Sequence, residues 1–338
     1  MRNRKNIAIF STASLMMSLM IAMTLLSQIA NAQDKNKEKL EFVKERSISK
    51  SYPASGNGLV IDNSFGHVKI VAWDKNEIKV DISIKVESSD KDNADRIFGN
   101  IDVLDSQSGD VVRFKTEQKS DNNGCRNCRT NMSINYEVKM PVNGKLTINN
   151  TFGNIELPDY KGQVSITEKF GSLTAGTLSD VRKLQVEFGK AQLKSLADVD
   201  ATFKFSKVQL ESLSGSNNIS LEFCDSSKIA LTSSLTSLTL HESYSTVNLR
   251  PAGNLGATYN VKTSFGTFID RSDIGVVRTD TPERYGPDSN RQYEGKSGNG
   301  SSKINVKSSF GKVILGEARP EDMKKTSKNK SAAAGRVI

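Results

Sequence analysis

The stretch Phe170-Gly171-Ser172-Leu173-Thr174-Ala175-Gly176-Thr177-Leu178-Ser179-Asp180-Val181-Arg182-Lys183-Leu184-Gln185-Val186-Glu187-Phe188-Gly189 contains one full period of a repeat. From Phe170, apolar residues fall at Leu173, Ala175, Leu178, Val181, Leu184, Val186 and Phe188. Steps of two are the alternation of a β-strand, in which every second side chain points inward. Steps of three mark corners, where the inward face is resumed after a change of parity. Two or three short strands per period, joined by bends, predict a coil of about 18 residues that stacks on its neighbours about 4.8 Å apart.

Outward from this stretch the pattern recurs. An aromatic followed by a small residue stands at Phe65-Gly66, Phe152-Gly153, Phe170-Gly171, Phe188-Gly189, Phe205-Ser206, Phe223-Cys224, Tyr244-Ser245, Phe265-Gly266 and Phe310-Gly311. From Phe152 the steps are 18, 18, 17, 18, 21, 21 and 45, the spacing of a solenoid with loops spliced into one corner. The expectation is an all-β fold, a right-handed parallel β-helix in which each aromatic lies over the last as an internal structural ladder. Ser, Cys and Gly share small size, so the bend after the ring reads as a close approach of stacked backbones. Cys224 is then a small filler in that column.

The outward residue before the ring runs Lys169, Glu187, Lys204, Glu222, placing opposite charges on successive coils. Such neighbours contribute about 0.2–1 kcal/mol each and hold register. Thr174, Gln192, Gln209 and Asn248 form a flat polar strip that would accept a glycan by planar hydrogen bonding, or serve simply as a solvated face. Glu168 and Glu242 occupy inward columns. Water entering near an end or an insertion accounts for them, and an acid with a raised pKa is the alternative.

Length and charge limit the function. The chain has 338 residues and a formal net charge of +9. Residues 1–32 carry three bases and no acid, and residues 318–338 carry six bases against two acids, so the body between them is nearly balanced and no nucleic-acid partner is expected. Arg2, Arg4 and Lys5 precede an apolar run from Ile7 to about Leu26, and Ala30-Asn31-Ala32 supplies a small-x-small site. This is the layout of a secretory signal with cleavage between Ala32 and Gln33, which leaves no transmembrane segment in the exported chain.

The rest of the chain divides around the repeats. Residues 33–58 form a charged lead-in. Residues 59–140 are expected as an N-terminal β region, with Ile78–Val86 and Met132–Met140 as antiparallel strands covering the near end of the repeats. Residues 141–316 carry the repeats, with a loop insertion at 271–302, and 317–338 form a disordered basic tail. Cys125 and Cys128 lie in a turn-rich stretch with no neighbouring helix in sequence and read as a disulfide clip. A redox pair is the alternative.

The run Val60-Ile61-Asp62-Asn63-Ser64-Phe65-Gly66-His67-Val68-Lys69-Ile70-Val71-Ala72-Trp73-Asp74, followed by Glu77-Ile78-Lys79-Val80, resembles the opening of exported bacterial proteins grouped as the DUF4097 or putative-adhesin β-strand-repeat family. The resemblance extends from about Leu59 to Leu315. It implies export, to the periplasm or the cell surface, and an envelope role, with no catalytic residues to carry over.

No catalytic, cofactor or metal-binding residues are assigned. The two histidines, His67 and His241, are far apart, and no zinc-protease, phosphate-loop or nucleophile-elbow motif is present. The expected function is a non-enzymatic, adhesin-like scaffold binding an envelope or extracellular ligand, glycan among the candidates. An envelope assembly or signalling component and a β-helical polysaccharide lyase or hydrolase are the alternatives.

Overall fold

The computed structural model describes residues 40–119, 125–282 and 288–323. They are mostly β-strand, with one short helix, Lys91–Gly99. The expected signal segment and the expected cleavage between Ala32 and Gln33 fall outside the described residues, as do the residues beyond Met323.

Parallel pairing of successive repeats organises the strands. Leu173, Ala191 and Val208 align across neighbouring strands, as do Ala175, Leu193 and Leu210. On the next side, Leu184, Ala201, Ile219, Leu240, Val306 and Val261 form a second inward column. All of these residues are buried, and together they form one continuous core running through the stack. Burial alternates along strands such as Tyr160–Lys169 and Asp200–Lys204, so the period-2 pattern there maps directly onto an apolar interior and a polar exterior.

At the far end the order of stacking departs from the order in sequence. The Ser302–Ser309 strand pairs in parallel with both Ser227–Ser243 and Ala257–Ser264. Likewise Lys312–Gly316 lies between Thr246–Pro251 and Thr267–Arg271. The last repeat in the chain is therefore inserted beneath the one that precedes it. The segment expected as a plain loop over 271–302 contributes the Asn290–Lys296 strand, which pairs antiparallel with Ala257–Ser264 and covers its open edge.

Two further expectations are corrected. Residues 33–58 are more than a lead-in, because Phe42–Pro53 is a twelve-residue strand paired antiparallel with Glu77–Ser88 along its whole length. Residues 317–338 are not wholly a free tail. Asp322 is buried, accepts from Arg271 Nε and NH2 at 3.0 Å each, and accepts from the Lys312 ammonium through its carbonyl oxygen at 2.9 Å. The antiparallel end is completed by Glu77–Ser88 against Thr130–Met140, with Val80 opposite Val138 and Ile84 opposite Ile134.

Candidate functional site

The aromatic of each repeat sits at a corner with a left-handed backbone. Phe65, Phe152, Phe170, Phe188, Phe205, Phe223, Tyr244, Phe265 and Phe310 have φ between 48° and 66°. Such a conformation costs an L-residue with a Cβ roughly 1–2 kcal/mol. It also breaks strand alternation. Val186 points inward and period-2 counting would put Phe188 inside as well, but the left-handed corner turns the ring out.

The ladder is consequently on the surface. Phe170, Phe188 and Phe205 are 46–47% exposed and Phe265 is 60% exposed, whereas the sequence reading placed these rings in the interior. The rings lie over one another in an unbroken row, with centroids 4.7–5.2 Å apart and planes within 15° of parallel. Because the final repeat is inserted, Tyr244 stacks on Phe310, and Phe310 on Phe265. Faces cover faces along the row, so the surface offers ring edges, which carry the positive side of the aromatic quadrupole. The clue in the sequence was the pair of polar residues bracketing each ring, such as Glu187 and Lys190 around Phe188.

Inside the corner, space is short. A Cβ on Gly153 would lie 1.7 Å from the Gly66 carbonyl oxygen, and one on Gly171 would lie 1.5 Å from that of Gly153. Where the small residue is not Gly it bonds back to the strand, Ser206 Oγ donating to Lys204 O at 2.7 Å and Ser245 Oγ to Ser243 O at 2.8 Å. Cys224 is fully buried in this row, and burial pushes its thiol up to about 11. An unreactive filler has these properties.

The charged row beside the ladder is paired within the chain, Lys169 with Glu187 at 3.1 Å and Lys204 with Glu222 at 2.9 Å. On the polar strip Thr174 and Gln192 are exposed, but Asn248 is buried. It donates to the carbonyls of Ile314 and Gly316, and Lys228 takes the outward place opposite Gln209.

Beneath the rings one inward column changes character along its length. It runs Asn63, Asn150, Glu168, then Val186, Phe203, Leu221, then Glu242, Ser308, Thr263. Asn63 Nδ2 donates to Asn150 Oδ1, and Asn150 Nδ2 to Glu168 Oε2, both at 3.0 Å. Glu242 Oε1 accepts from the Ser245 N–H at 2.7 Å. Burial raises Glu168 to about 8 and Glu242 to about 7, with only partial relief from these hydrogen bonds. Each carboxyl lies below the third ring from its end of the ladder, so the column is polar towards both ends and apolar in the middle.

The other sequence candidates are scattered. His241 is exposed while Glu242 beside it is buried, so the two do not share a face. His67 lies at the opposite end, in an open cleft with Lys69, Asp81 and Glu137. Cys125 and Cys128 are brought together with Cα atoms 5.6 Å apart, next to the Asp90 carboxylate. Asp90 caps the Lys91–Gly99 helix through a bond from the Asn93 N–H, so the pair lies near a helix start that its local sequence did not reveal. Among the described residues no helix is long and apolar enough to cross a membrane.

No family model and no curated protein sequence matches the chain. Solved structures similar to it include a putative cell adhesion protein from Clostridium sporogenes, at 14% identity and a TM-score of 0.22, covering 81% of this chain and all of that one. A putative adhesin from Bacteroides fragilis aligns at 7% identity and a TM-score of 0.36, covering 80% of this chain and 97% of that one. A putative lipid binding protein from Parabacteroides distasonis aligns at 12% identity and a TM-score of 0.26, covering 82% and 98%. The functional reading rests on the chain's own surface.

Proposed function

We propose that the chain is an exported, non-enzymatic, adhesin-like scaffold, a right-handed parallel β-helix whose aromatic ladder is its binding edge. In this reading the DUF4097 resemblance holds, the signal is removed between Ala32 and Gln33, and Cys125 and Cys128 form a disulfide clip. The protein then works in the periplasm or at the cell surface on an envelope or extracellular ligand. One observation carries the proposal: a continuous row of half-exposed rings in a position that is costly twice over, through its backbone and through its contact with water. Burial of the rings would stabilise an isolated chain better, so their exposure points to a partner.

The ladder suits an elongated partner that meets ring edges. A sugar ring that stacks on aromatic faces fits only at an end, where Phe265 is the most open ring of the row. The test is binding of the purified chain to isolated outer envelope, peptidoglycan and matrix glycoprotein, compared with Phe188→Asn/Phe205→Asn. Asparagine tolerates the left-handed corner while removing the ring. Loss of binding of about tenfold or more is expected for the variant, on the scale of aromatic anchors. Undiminished binding would place the ligand elsewhere.

A further inference from the structure

We infer that the ladder's partner is a second copy of this chain, docked ladder to ladder about a twofold axis that passes between the Phe188 and Phe205 rungs. The inference rests on the reading of the ladder as a binding edge, and three observations identify the occupant.

Size is the first. A fully covered aromatic side chain buries about 150–250 Å², so rings about half exposed still offer roughly 100 Å² each. Seven such rings, from Phe152 to Phe310 in the row, face a rung of the partner about this axis and sum to about 700 Å², close to the 800 Å² per partner of a standard protein interface.

Period is the second. Ring edges and the gaps between them alternate every 4.7–5.0 Å from Phe152 onward. A partner that meets every ring of the row with a ring at the same height needs the same period, and an identical ladder has it by construction.

Charge order is the third. The row Lys169, Glu187, Lys204, Glu222 reads positive, negative, positive, negative along successive rungs. A twofold axis between the second and third of these reverses the row in the partner. Lys169 then faces the partner's Glu222, and Glu187 faces the partner's Lys204. Every charge in the row meets its opposite, as an isologous contact requires. On the other flank, Lys190 faces the partner's Lys207 across the same axis and repels it, tilting the contact towards the Lys169–Glu222 side. A parallel pairing would oppose Glu187 to Lys190 but also Lys204 to Lys207, and would leave Lys169 facing Ser172, so the antiparallel arrangement, in which all four charges of the row meet an opposite, is the one selected.

Sedimentation velocity and light scattering on the exported chain at about 100 µM, a concentration that reveals even a weak self-contact, provide the test. A dimer is expected, and Phe188→Asn/Phe205→Asn should raise the dissociation constant at least tenfold while leaving the far-ultraviolet spectrum and melting temperature near those of the parent. Two charge variants remove the dependence on ring chemistry. Glu187→Lys/Glu222→Lys makes the row all positive, and Lys169→Glu/Lys204→Glu makes it all negative. Each alone should be weakened, and an equimolar mixture should recover a mixed dimer.

A parent chain that stays monomeric, Asn variants that still dimerise, or a mixture no better than its components would overturn the inference. The ligand assay separates this outcome from failure of the underlying reading. A monomeric parent whose envelope binding is lost in Phe188→Asn/Phe205→Asn keeps the ladder as a binding edge and removes only the second copy. A parent dimer that those substitutions dissociate while envelope binding is unchanged keeps the second copy on the ladder and places the envelope ligand elsewhere.

Discussion

A corner residue with positive φ is ordinarily Gly or Asn, yet in every repeat this position is Phe or Tyr, and the small residue, Gly in six repeats and Ser or Cys in three, comes one place later. At Gly153, Gly171 and Gly189 the glycine is required by contact, since the carbonyl of the preceding repeat occupies the space its Cβ would need. The strained ring is partly compensated by stacking on two neighbours, each contact contributing about 0.5–1.5 kcal/mol beyond burial. The inward carboxyls have a pH consequence. Glu168 and Glu242 rise from the ordinary value of 4.5 to about 8 and about 7 through burial. The native state therefore keeps protons that the unfolded chain has already released above pH 4.5. Their contribution is fully present below that pH and is lost as pH rises through 7 for Glu242 and through 8 for Glu168. We expect the parent to lose stability, by an amount on the order of a few kcal/mol, between pH 5 and pH 8, and Glu168→Gln/Glu242→Gln to flatten that slope. Urea midpoints at a series of pH values measure it. An identical slope in parent and variant would show that these carboxyls do not titrate in the native state as described.

Single elements differed in how well their sequences announced them. Ile78 to Val86 alternates strictly, and its strand, Glu77–Ser88, is where the pattern put it. The Phe42–Pro53 strand was hidden because its inward-leaning side includes Lys44 and Arg46. These residues lay their stems on the sheet and deliver their charges to Asp95 and the Ile101 carbonyl. The ladder's spacing was legible, but its side of the wall was not, since parity counting assumes an extended chain and the corner is left-handed. The buried position of Asn248 was illegible for another reason: its partners, the carbonyls of Ile314 and Gly316, are supplied by a strand more than sixty residues later. The hidden strand leads to a prediction of its own. Deleting residues 40–56 uncovers the Glu77–Ser88 edge, with the open backbone of a long strand carrying Ile78, Val80, Ile82 and Ile84. Such an edge templates intermolecular pairing. The deletion variant should form concentration-dependent aggregates, read by light scattering and thioflavin fluorescence, whereas Phe42→Ser, which keeps the strand, should not.

At the scale of the whole molecule, the inserted final repeat makes the far end interdependent. A simple stack can lose its last repeat and keep the others, because each touches only its neighbours. Here Ser302–Ser309 is sandwiched between Ser227–Ser243 and Ala257–Ser264, so its loss would leave the latter strand with no parallel neighbour and open the column at Glu242. The Arg271–Asp322 ion pair then fastens the segment after the last strand to the strand Thr267–Arg271, with the carboxylate held well below its ordinary range by the guanidinium. A chain ending at Met323 should match the full chain in melting temperature, because these fastenings are retained. A chain ending at Gly300 should lose amide protection across 227–271, a region it still contains, while residues 146–204 exchange as slowly as before. Hydrogen exchange read by mass spectrometry distinguishes the two patterns. Protection retained over 227–271 in the shorter chain would mean that the far end is an ordinary stack and that the insertion adds no cooperativity.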